Sequence, residues 1–432
     1  MHDLPAAFFS PRLRAALAGL LLGAVFAAAG SPARAADIEL TDVTAWTDAP
    51  DRHWIGADFW ANRLQDWAVK DGVLTCAASY GGLHSRTAHL LTYELVDAGD
   101  LILDPVPGHT VVKAIDGAGP ERATLSVVGR LAGDTIELTA TLSDGDTVVA
   151  KTTGTLDAAR VAGSVALVSN GSDAEHPHRF RGLRIGGDRV AAHPERAVGP
   201  IAGVLYGVAN GDLKVGVQCV SLRETMRPPP FGKKVDKPAR LAVRLEQKLG
   251  DGTWEPVGRP TAVAEPDYYA LIRITGYDAT EPRDFRVVTN GAGDVAASYG
   301  FHVPAEPEGD VVVGAVSCSG AMGRRSGRPE KTSDGELYVG RWTDANVWFP
   351  WEGVSGPLME RNPDIVFFTG DQLYEYNPTA RHPTDAFPHD DYLYKWLLWH
   401  WAFNDLTRQV PTVMQTDDHD VWHPTCGVRA AG

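Results

Sequence analysis

The chain has 432 residues, of which 44% are hydrophobic and 22% are charged, and its formal net charge is −15. This composition is typical of a globular protein, and the length accommodates two or three domains. The excess of acidic residues argues against a surface that follows a nucleic-acid backbone. It keeps the chain soluble and supplies carboxylates for hard cations.

The N-terminal segment has the pattern of a secretory signal peptide. Arg12 and Arg14 precede an apolar run at 15–30, and a small-residue cleavage pattern ends at Ala35. We therefore expect residues 1–35 to be a signal peptide and the protein to be secreted or periplasmic. A membrane anchor is the alternative, but the run is short and rich in alanine and glycine. No later stretch of the sequence is apolar enough to span a membrane.

The four cysteines, Cys76, Cys219, Cys318 and Cys426, are far apart in the sequence. They show no Cys-x-x-Cys spacing, so neither a zinc ribbon nor a disulfide scaffold is indicated. A bridge between Cys76 and Cys219 is compatible with export, whereas two buried free thiols are the simpler interpretation.

Residues 37–195 have an all-β pattern. Short segments rich in valine, threonine, isoleucine and leucine are separated by Gly/Asp turns, and they predict strands at 123–128, 135–142 and 147–152. Asp144-Gly145-Asp146 is a hairpin signal between the last two. Residues 67–76 predict an opening strand pair, and the alternating apolar and basic residues at 179–185 predict a closing strand.

A β sandwich is the natural way for these strands to bury one face each. The layout resembles the laminin-G/concanavalin-like sandwiches found beside secreted hydrolases. That resemblance allows contact with a glycan or cell surface, although aromatic residues such as Trp60 and Trp67 are expected in the core.

Residues 196–308 predict a second β sandwich, of immunoglobulin or fibronectin-III-like type. The strands that support this prediction lie at 213–220, 241–245, 269–275 and 283–289. The Pro- and Lys-rich segment 227–238 is predicted to be a mobile loop. The Pro- and acid-rich segment 303–310 is predicted to be a linker between domains.

Residues 310–432 change to an α/β pattern. Apolar runs at 311–317, 365–369 and 410–414 predict buried strands, and apolar residues at three- and four-residue steps predict a helix at 389–408. Alternation of strands and helices indicates a parallel sheet. Ligands bind beyond the carboxyl ends of such strands.

All three predicted strands end in residues that bind metal ions. Cys318 follows the first, Asp371 and Tyr374 follow the second, and an Asp-Asp-His-Asp run at 417–420 follows the third. Carboxylate oxygens suit hard cations, while thiolate and phenolate favour a transition metal such as iron. Two adjacent ions clamp the attacking and leaving oxygens of a phosphoryl group. Each residue has a simpler explanation as a cap, a turn or a buried thiol, but three matching strand ends favour a metal site.

These stretches resemble the alkaline phosphatase D (PhoD-like) family of calcineurin-like metallophosphoesterases. The resemblance rests on Ser-Cys at 317–318, Gly-Asp-Gln-Leu-Tyr-Glu at 370–375 and Asp-Asp-His-Asp-Val-Trp-His at 417–423. It implies the first half of an α/β metallophosphoesterase domain, and an exported metal-dependent phosphatase or phosphodiesterase that acts on phosphate esters.

The resemblance also implies roles for individual residues. Asp371 would bridge two metal ions, iron plus calcium or another divalent cation. Cys318 and Tyr374 would bind the iron, and Asp418 the second ion. His419 would face the substrate and either protonate the leaving group or stabilise the transition state. Asp417 and Asp420 are expected to support these ligands.

The chain departs from the family pattern after His423, where further metal-binding residues would follow. We therefore expect a truncation or frameshift at this point, and a 432-residue chain that is weakly active at best. A glycan- or surface-binding β-sandwich protein with an inert hydrolase remnant is the alternative. A Ser-His-Asp hydrolase is disfavoured, since the sequence has no Gly-x-Ser-x-Gly elbow.

Overall fold

A computed structural model describes most of the chain between residues 39 and 421. The described residues are 39–44, 46, 49, 51–77, 86–96, 101–104, 123–169, 172–173, 175–222, 241–290, 297–319, 330–331, 337–338, 354–374 and 390–421. The predicted signal peptide, the loop at 227–238, Cys426 and the chain after Val421 lie outside them.

The first region is built from antiparallel strands, as expected. These strands are β1 (Thr41–Asp42), β2 (Phe59–Asn62), β3 (Trp67–Lys70), β4 (Val73–Cys76), β5 (Arg86–Leu95), β6 (Leu101–Asp104), β7 (Thr124–Ala132), β8 (Thr135–Asp144), β9 (Thr147–Asp157), β10 (Gly163–Ser169), β11 (His178–Phe180), β12 (Arg184–Gly186) and β13 (Val190–Ala192). They form a sheet in the order β1-β12-β6-β7-β8-β9, a second in the order β10-β5-β13 with β2 paired to β5, and a third in the order β11-β4-β3. Short 3-10 helices cover Leu64–Asp66, Ala158–Val161 and Pro194–Arg196.

Local turn chemistry accounts for the hairpins of this region. β8 and β9 pair through Asp144 and Thr147, and Gly145 between them has a φ of 55°, which glycine adopts without strain. The predicted hairpin is therefore confirmed. The predicted strand pair at 67–76 is also confirmed, as β3 and β4. The finer likeness to a laminin-G or concanavalin sandwich stays a prediction.

The prediction of one closing strand at 179–185 is wrong. The structure divides this segment into β11, which pairs with β4, and β12, which pairs with β1 and β6 in a different sheet. Alternation of apolar and polar residues indicates that one face of a strand is buried. It carries no information on whether the pairing partner stays the same along the strand.

The second region is a pair of antiparallel sheets around one core. Its strands are β14 (Ile201–Ala209), β15 (Asp212–Cys219), β16 (Ala242–Lys248), β17 (Trp254–Ala262), β18 (Tyr269–Thr275), β19 (Arg283–Thr289) and β20 (Ser298–Val303). The sheets run β14-β15-β18 and β17-β16-β19-β20. Val204, Val215 and Phe285 are among the residues buried between them. This agrees with the predicted sandwich, while the immunoglobulin or fibronectin-III type stays a prediction.

Cys76 and Cys219 are both buried thiols outside any disulfide. The interpretation as buried thiols is therefore the correct one, and they form no bridge. Burial raises the pKa of Cys219 to about 12, so this thiol stays protonated at neutral pH.

The third region contains a three-stranded parallel sheet. Its elements are β21 (Val313–Val316), a hairpin of β22 (Glu330–Lys331) and β23 (Leu337–Tyr338), α1 (Ser355–Met359), β24 (Ile365–Thr369), α2 (Asp390–Thr407), β25 (Thr412–Gln415) and a 3-10 helix at Asp418–Val421. β24 lies between β21 and β25 and is parallel to both. The predicted parallel strands and the helix are therefore confirmed, with bounds shifted by a few residues. No described helix has both the length and the apolar character needed to cross a membrane.

β24 is buried on one face, whereas its sequence predicted burial on both. Val366 and Phe368 are fully buried, and Phe368 packs edge-on against Trp399 of α2 with ring centroids 4.7 Å apart. On the other face, Val313 and Val413 are 57% and 40% exposed. A helix packs on only one face of this sheet in the described part of the chain, so an uninterrupted apolar run does not require two buried faces here.

The helix α2 joins all three regions. Tyr394 stacks on Trp60 of β2 at 5.7 Å, and Leu393 contributes to the core of the second region. His400 packs against Gly203 of β14, where a Cβ atom would lie 2.1 Å from the imidazole Nδ1. Domain limits at 195/196 and 308/310 stay predictions, since the buried apolar residues of the first and third regions form one continuous cluster.

Candidate metal centre

The carboxyl ends of the three parallel strands meet at one edge of the sheet. Cys318 lies two residues after β21, Asp371 two residues after β24, and Asp418 three residues after β25. The parallel order β21-β24-β25 brings these ends side by side. The backbone N–H of Cys318 donates a hydrogen bond to the carbonyl of Gly370 at 3.0 Å, and this bond joins the first two loops.

The backbone at two of these positions is in the left-handed region. Cys318 has a φ of 54° and Asp371 a φ of 56°. This region is unfavourable for side chains other than glycine and, to a lesser degree, aspartate and asparagine, and such residues cluster at functional sites. Gly370 precedes Asp371 with a φ of 107°, and a Cβ atom there would lie 2.5 Å from the Cβ of Asp417. Glycine is therefore required for the close approach of the two loops.

Asp371 is the centre of the cluster. Its Oδ2 accepts a hydrogen bond from the Tyr374 hydroxyl at 3.2 Å and lies 3.6 Å from the Cys318 thiol. Its Oδ1 is buried and has no hydrogen-bond partner among the described residues. An anionic oxygen in this state is costly unless a ligand compensates for the lost water.

Asp418 and His419 complete the cluster. One donor atom from each of Asp371, Asp418 and His419 lies within 4.8 Å of the other two, a spacing that one cation can bridge. The His419 ring also packs against Tyr374, with centroids 4.8 Å apart. All five residues that the sequence predicted as metal ligands or catalytic groups are thus brought together.

Burial raises the pKa of Tyr374 above its ordinary value, and the neighbouring Cys318 and Asp371 act in the same direction. The phenol is therefore neutral at neutral pH in the absence of a cation, and it donates to Asp371. A nearby cation would favour the phenolate instead.

The donor set fits a metal centre. It offers two carboxylates, an imidazole, a thiol and a phenol, and these donor types cover both hard and softer cations. The unpartnered Oδ1 of Asp371 supports this fit, because it is a buried donor atom with no internal role in the described structure.

Two further residues hold the site together. The carboxylate of Asp420 is buried between the loops after β24 and β25, and burial raises its pKa. The Tyr392 hydroxyl of α2 donates to the carbonyl of His419 at 3.1 Å. The sequence indicated a supporting role for Asp420 from its motif. Tyr392 was expected only in the apolar stripe of the helix, and no pattern in the sequence distinguishes it there.

Comparisons with known proteins do not identify the function of this site. No family model matches the chain, and no curated protein does. The chain is similar to a solved structure titled "Structure of PhoD", with 13% identity and a TM-score of 0.33 over 51% of this chain and 40% of that chain. It is also similar to a beta-glycosidase from Bacteroides vulgatus, with 7% identity and a TM-score of 0.21 over 77% of this chain and 42% of that chain. The chain thus spans less than half the length of either structure, and similarity at this level assigns neither a fold nor a function.

Proposed function

We propose that the chain is a metal-dependent phosphoesterase whose metal centre lies at the carboxyl edge of the sheet β21-β24-β25. The observation that carries the proposal is the position of Asp371. Its Oδ2 faces Cys318 and Tyr374, its carboxylate also lies near Asp418 and His419, and its Oδ1 is buried without a hydrogen-bond partner among the described residues. A carboxylate that lies near both pairs of donors is suited to bridge two cations.

The residues divide into two sets of ligands. Cys318 and Tyr374 would hold one ion, Asp418 would hold the other, and Asp371 would be shared between them. Two bound metal ions would stabilise the attacking and leaving oxygens of a phosphate ester. His419 supplies an imidazole beside Asp371 that can protonate the leaving oxygen or donate a hydrogen bond to the phosphoryl group.

Iron with calcium, or with another divalent cation, is the pair we propose. A thiol and a phenol on one side favour iron, and carboxylate oxygens on the other side suit a hard divalent ion. Secretion or export to the periplasm, with removal of residues 1–35, is part of the same proposal.

The alternative function, glycan binding by the first β region, draws no support from its tryptophans. Trp46, Trp54 and Trp67 are each at most 1% exposed, so they are core residues rather than a platform for sugar rings. Any contact with a glycan or cell surface would need other side chains.

The proposal is tested by metal content and hydrolysis in the same preparations. Mass spectrometry of the purified chain should find iron and a divalent cation. Asp371→Asn should lose metal, because an amide cannot bridge two cations as a carboxylate does. Any turnover of p-nitrophenyl phosphate or bis(p-nitrophenyl) phosphate by the wild type should disappear with it.

Asp364→Asn is a matched control. Asp364 lies at the opposite end of β24, where its carboxylate accepts a hydrogen bond from the backbone N–H of Val312 at 2.7 Å. This substitution should leave metal content unchanged. A wild-type chain without bound metal, or equal metal content in Asp371→Asn, would contradict the proposed function.

A further inference from the structure

One buried carboxylate connects the two loops that carry most of the candidate ligands. Asp420 is 7% exposed. Its Oδ1 accepts a hydrogen bond from the backbone N–H of Leu373 at 2.9 Å, and its Oδ2 accepts one from the backbone N–H of Asp417 at 3.0 Å.

These bonds act where the strand ladder has ended. The backbone pairing of β24 with β25 stops at Thr369 and Gln415. Beyond that pair, the side-chain amide of Gln372 donates to the carbonyl of Gln415 at 3.2 Å, and Asp420 accepts the backbone N–H of Leu373 from the other loop. Charged acceptors form roughly twice as strong a hydrogen bond as neutral ones, so the bond to Asp420 is the stronger of these two hydrogen bonds.

The arrangement matters for metal binding because the ligands are divided between the loops. Asp371 lies on the first loop, and Asp418 and His419 lie on the second. A metal site requires its ligands to be held to within about 0.5 Å of their binding positions. The three donor atoms lie within 4.8 Å of one another. Two of them are carboxylate oxygens, which repel each other, and the hydrogen bonds of Asp420 to both loops oppose that separation.

We infer that Asp420 is a positioning residue that holds the Asp371 loop against the Asp418–His419 loop and thereby sets the affinity of the site for divalent cations. Asp420 itself does not ligate the ion in this role. The inference rests on the proposed metal centre and adds to it a residue that controls affinity through two backbone segments.

The test is Mn²⁺ binding by the full chain, measured by isothermal titration calorimetry after removal of bound metal. Asp420→Asn keeps the size of the side chain, but it removes the charge and replaces one acceptor oxygen with an NH₂ group that faces backbone N–H donors. Loss of a residue that supports metal ligands weakens binding by about 10- to 100-fold, and we expect an effect of that size here. Asp364→Asn, which removes a comparable carboxylate–amide bond at the other end of β24, should bind Mn²⁺ as tightly as the wild type.

A purely structural role would lower the melting temperature in both variants and leave Mn²⁺ affinity equal in both. Unchanged Mn²⁺ affinity in folded Asp420→Asn would overturn the inference while leaving the proposed metal centre intact. No Mn²⁺ binding by the wild type would overturn both. Should Asp420→Asn lose its near-ultraviolet circular dichroism, Asp420→Glu replaces it. That variant keeps the charge and moves the carboxylate by one methylene. If Asp420 is a positioning residue, Asp420→Glu should bind Mn²⁺ more weakly than the wild type, and wild-type affinity would contradict the inference.

Discussion

The region from β14 to β20 encloses its core almost entirely between its own two sheets, and among the described residues of the third region Leu393 of α2 is the single buried addition to that core. The first β region instead shares one core with α2 and β24. Trp60 and Tyr394 stack across that junction, and Trp399 continues the cluster to Phe368. Two β regions of similar appearance in the sequence therefore differ in how far they depend on the rest of the chain.

This difference shows what supports the candidate metal centre. The ligands lie on loops after β21, β24 and β25, and the face of that sheet opposite its exposed valines packs on α2. Because α2 is covered in turn by the first β region, burial in that region should contribute to the rigidity of the ligand loops. The second region packs on the same helix through β14, where Gly203 lies against His400, and through Leu393.

The largest expected effect comes from separating the regions. A fragment of residues 197–308 should fold by itself and melt cooperatively, because its core is internal. A chain without residues 37–195 should aggregate, because the apolar surface of α2 would then be exposed to water. Circular dichroism and size-exclusion chromatography of the two proteins check this. A folded, monomeric chain without residues 37–195 would show that the third region does not depend on the first.

Single core substitutions test the same dependence at higher resolution. Trp60→Ala and Phe285→Ala each remove a buried aromatic ring, and each should cost about 3–5 kcal/mol of stability in its own core. Only Trp60→Ala should speed hydrogen exchange of the amides in β24 (Ile365–Thr369), since Phe285 belongs to the second core. The exchange rates are measured by mass spectrometry. Equal acceleration of amide exchange in β24 by both substitutions would contradict the comparison.

A buried ion pair also marks the junction between the first region and α2. The Lys395 ammonium lies 2.6 Å from Asp391 Oδ2, both side chains are at most 2% exposed, and the Gln65 amide donates to Asp391 Oδ1. Asp391→Asn should cost about 3 kcal/mol or more, because it removes the negative charge that a buried ammonium contacts. The double variant Asp391→Leu/Lys395→Met should cost less. Denaturant unfolding of the three proteins gives both values.

The second region provides a control for that ion pair. Glu246 pairs with Arg244 and Arg286, whose side chains are 45% and 32% exposed. Glu246→Gln should cost less than Asp391→Asn, since both arginines can be solvated when the carboxylate charge is lost. An equal loss of stability in the two variants would argue against a special role for the α2 junction.

The expected effect that is smallest at neutral pH, and grows only on acidification, is a pH dependence from His400. Complete burial lowers the pKa of this imidazole from 6.5 to about 3. Below pH 6.5 the unfolded chain takes up a proton that the folded chain does not, so stability should fall by up to about 1.4 kcal/mol per pH unit as the pH drops towards 3. His400→Phe should flatten the dependence of the unfolding free energy on pH. An unchanged slope would show that other groups cause it, His89 among them, because burial lowers its pKa to about 4.

Much of the third region could be predicted because its signals are local. The apolar run at 365–369 became β24 with the same bounds, and the helical periodicity at 389–408 became α2 (Asp390–Thr407). The proximity of the five predicted site residues could also be predicted. Each follows the end of a strand in a parallel sheet, and such ends must meet at one edge.

Other features could not be read from the sequence. The division of 179–185 between two sheets depends on which strands lie nearby, and a pattern of alternating burial is the same for either partner. The sharing of a core between Trp60 and Tyr394 joins residues more than three hundred positions apart, and the apolar character of each is equally compatible with separate cores.

The positions of strands, turns and the long helix, and the residue types at the strand ends, follow from the sequence alone, because periodicity and backbone preference act over a few residues. Three properties appear only in the folded chain: the left-handed backbone at Cys318 and Asp371, the burial of Asp371 Oδ1 without a partner among the described residues, and the inward position of Asp420 between two loops. Those properties depend on contacts between distant segments, whose free energies are set by the packing of the whole sheet against α2.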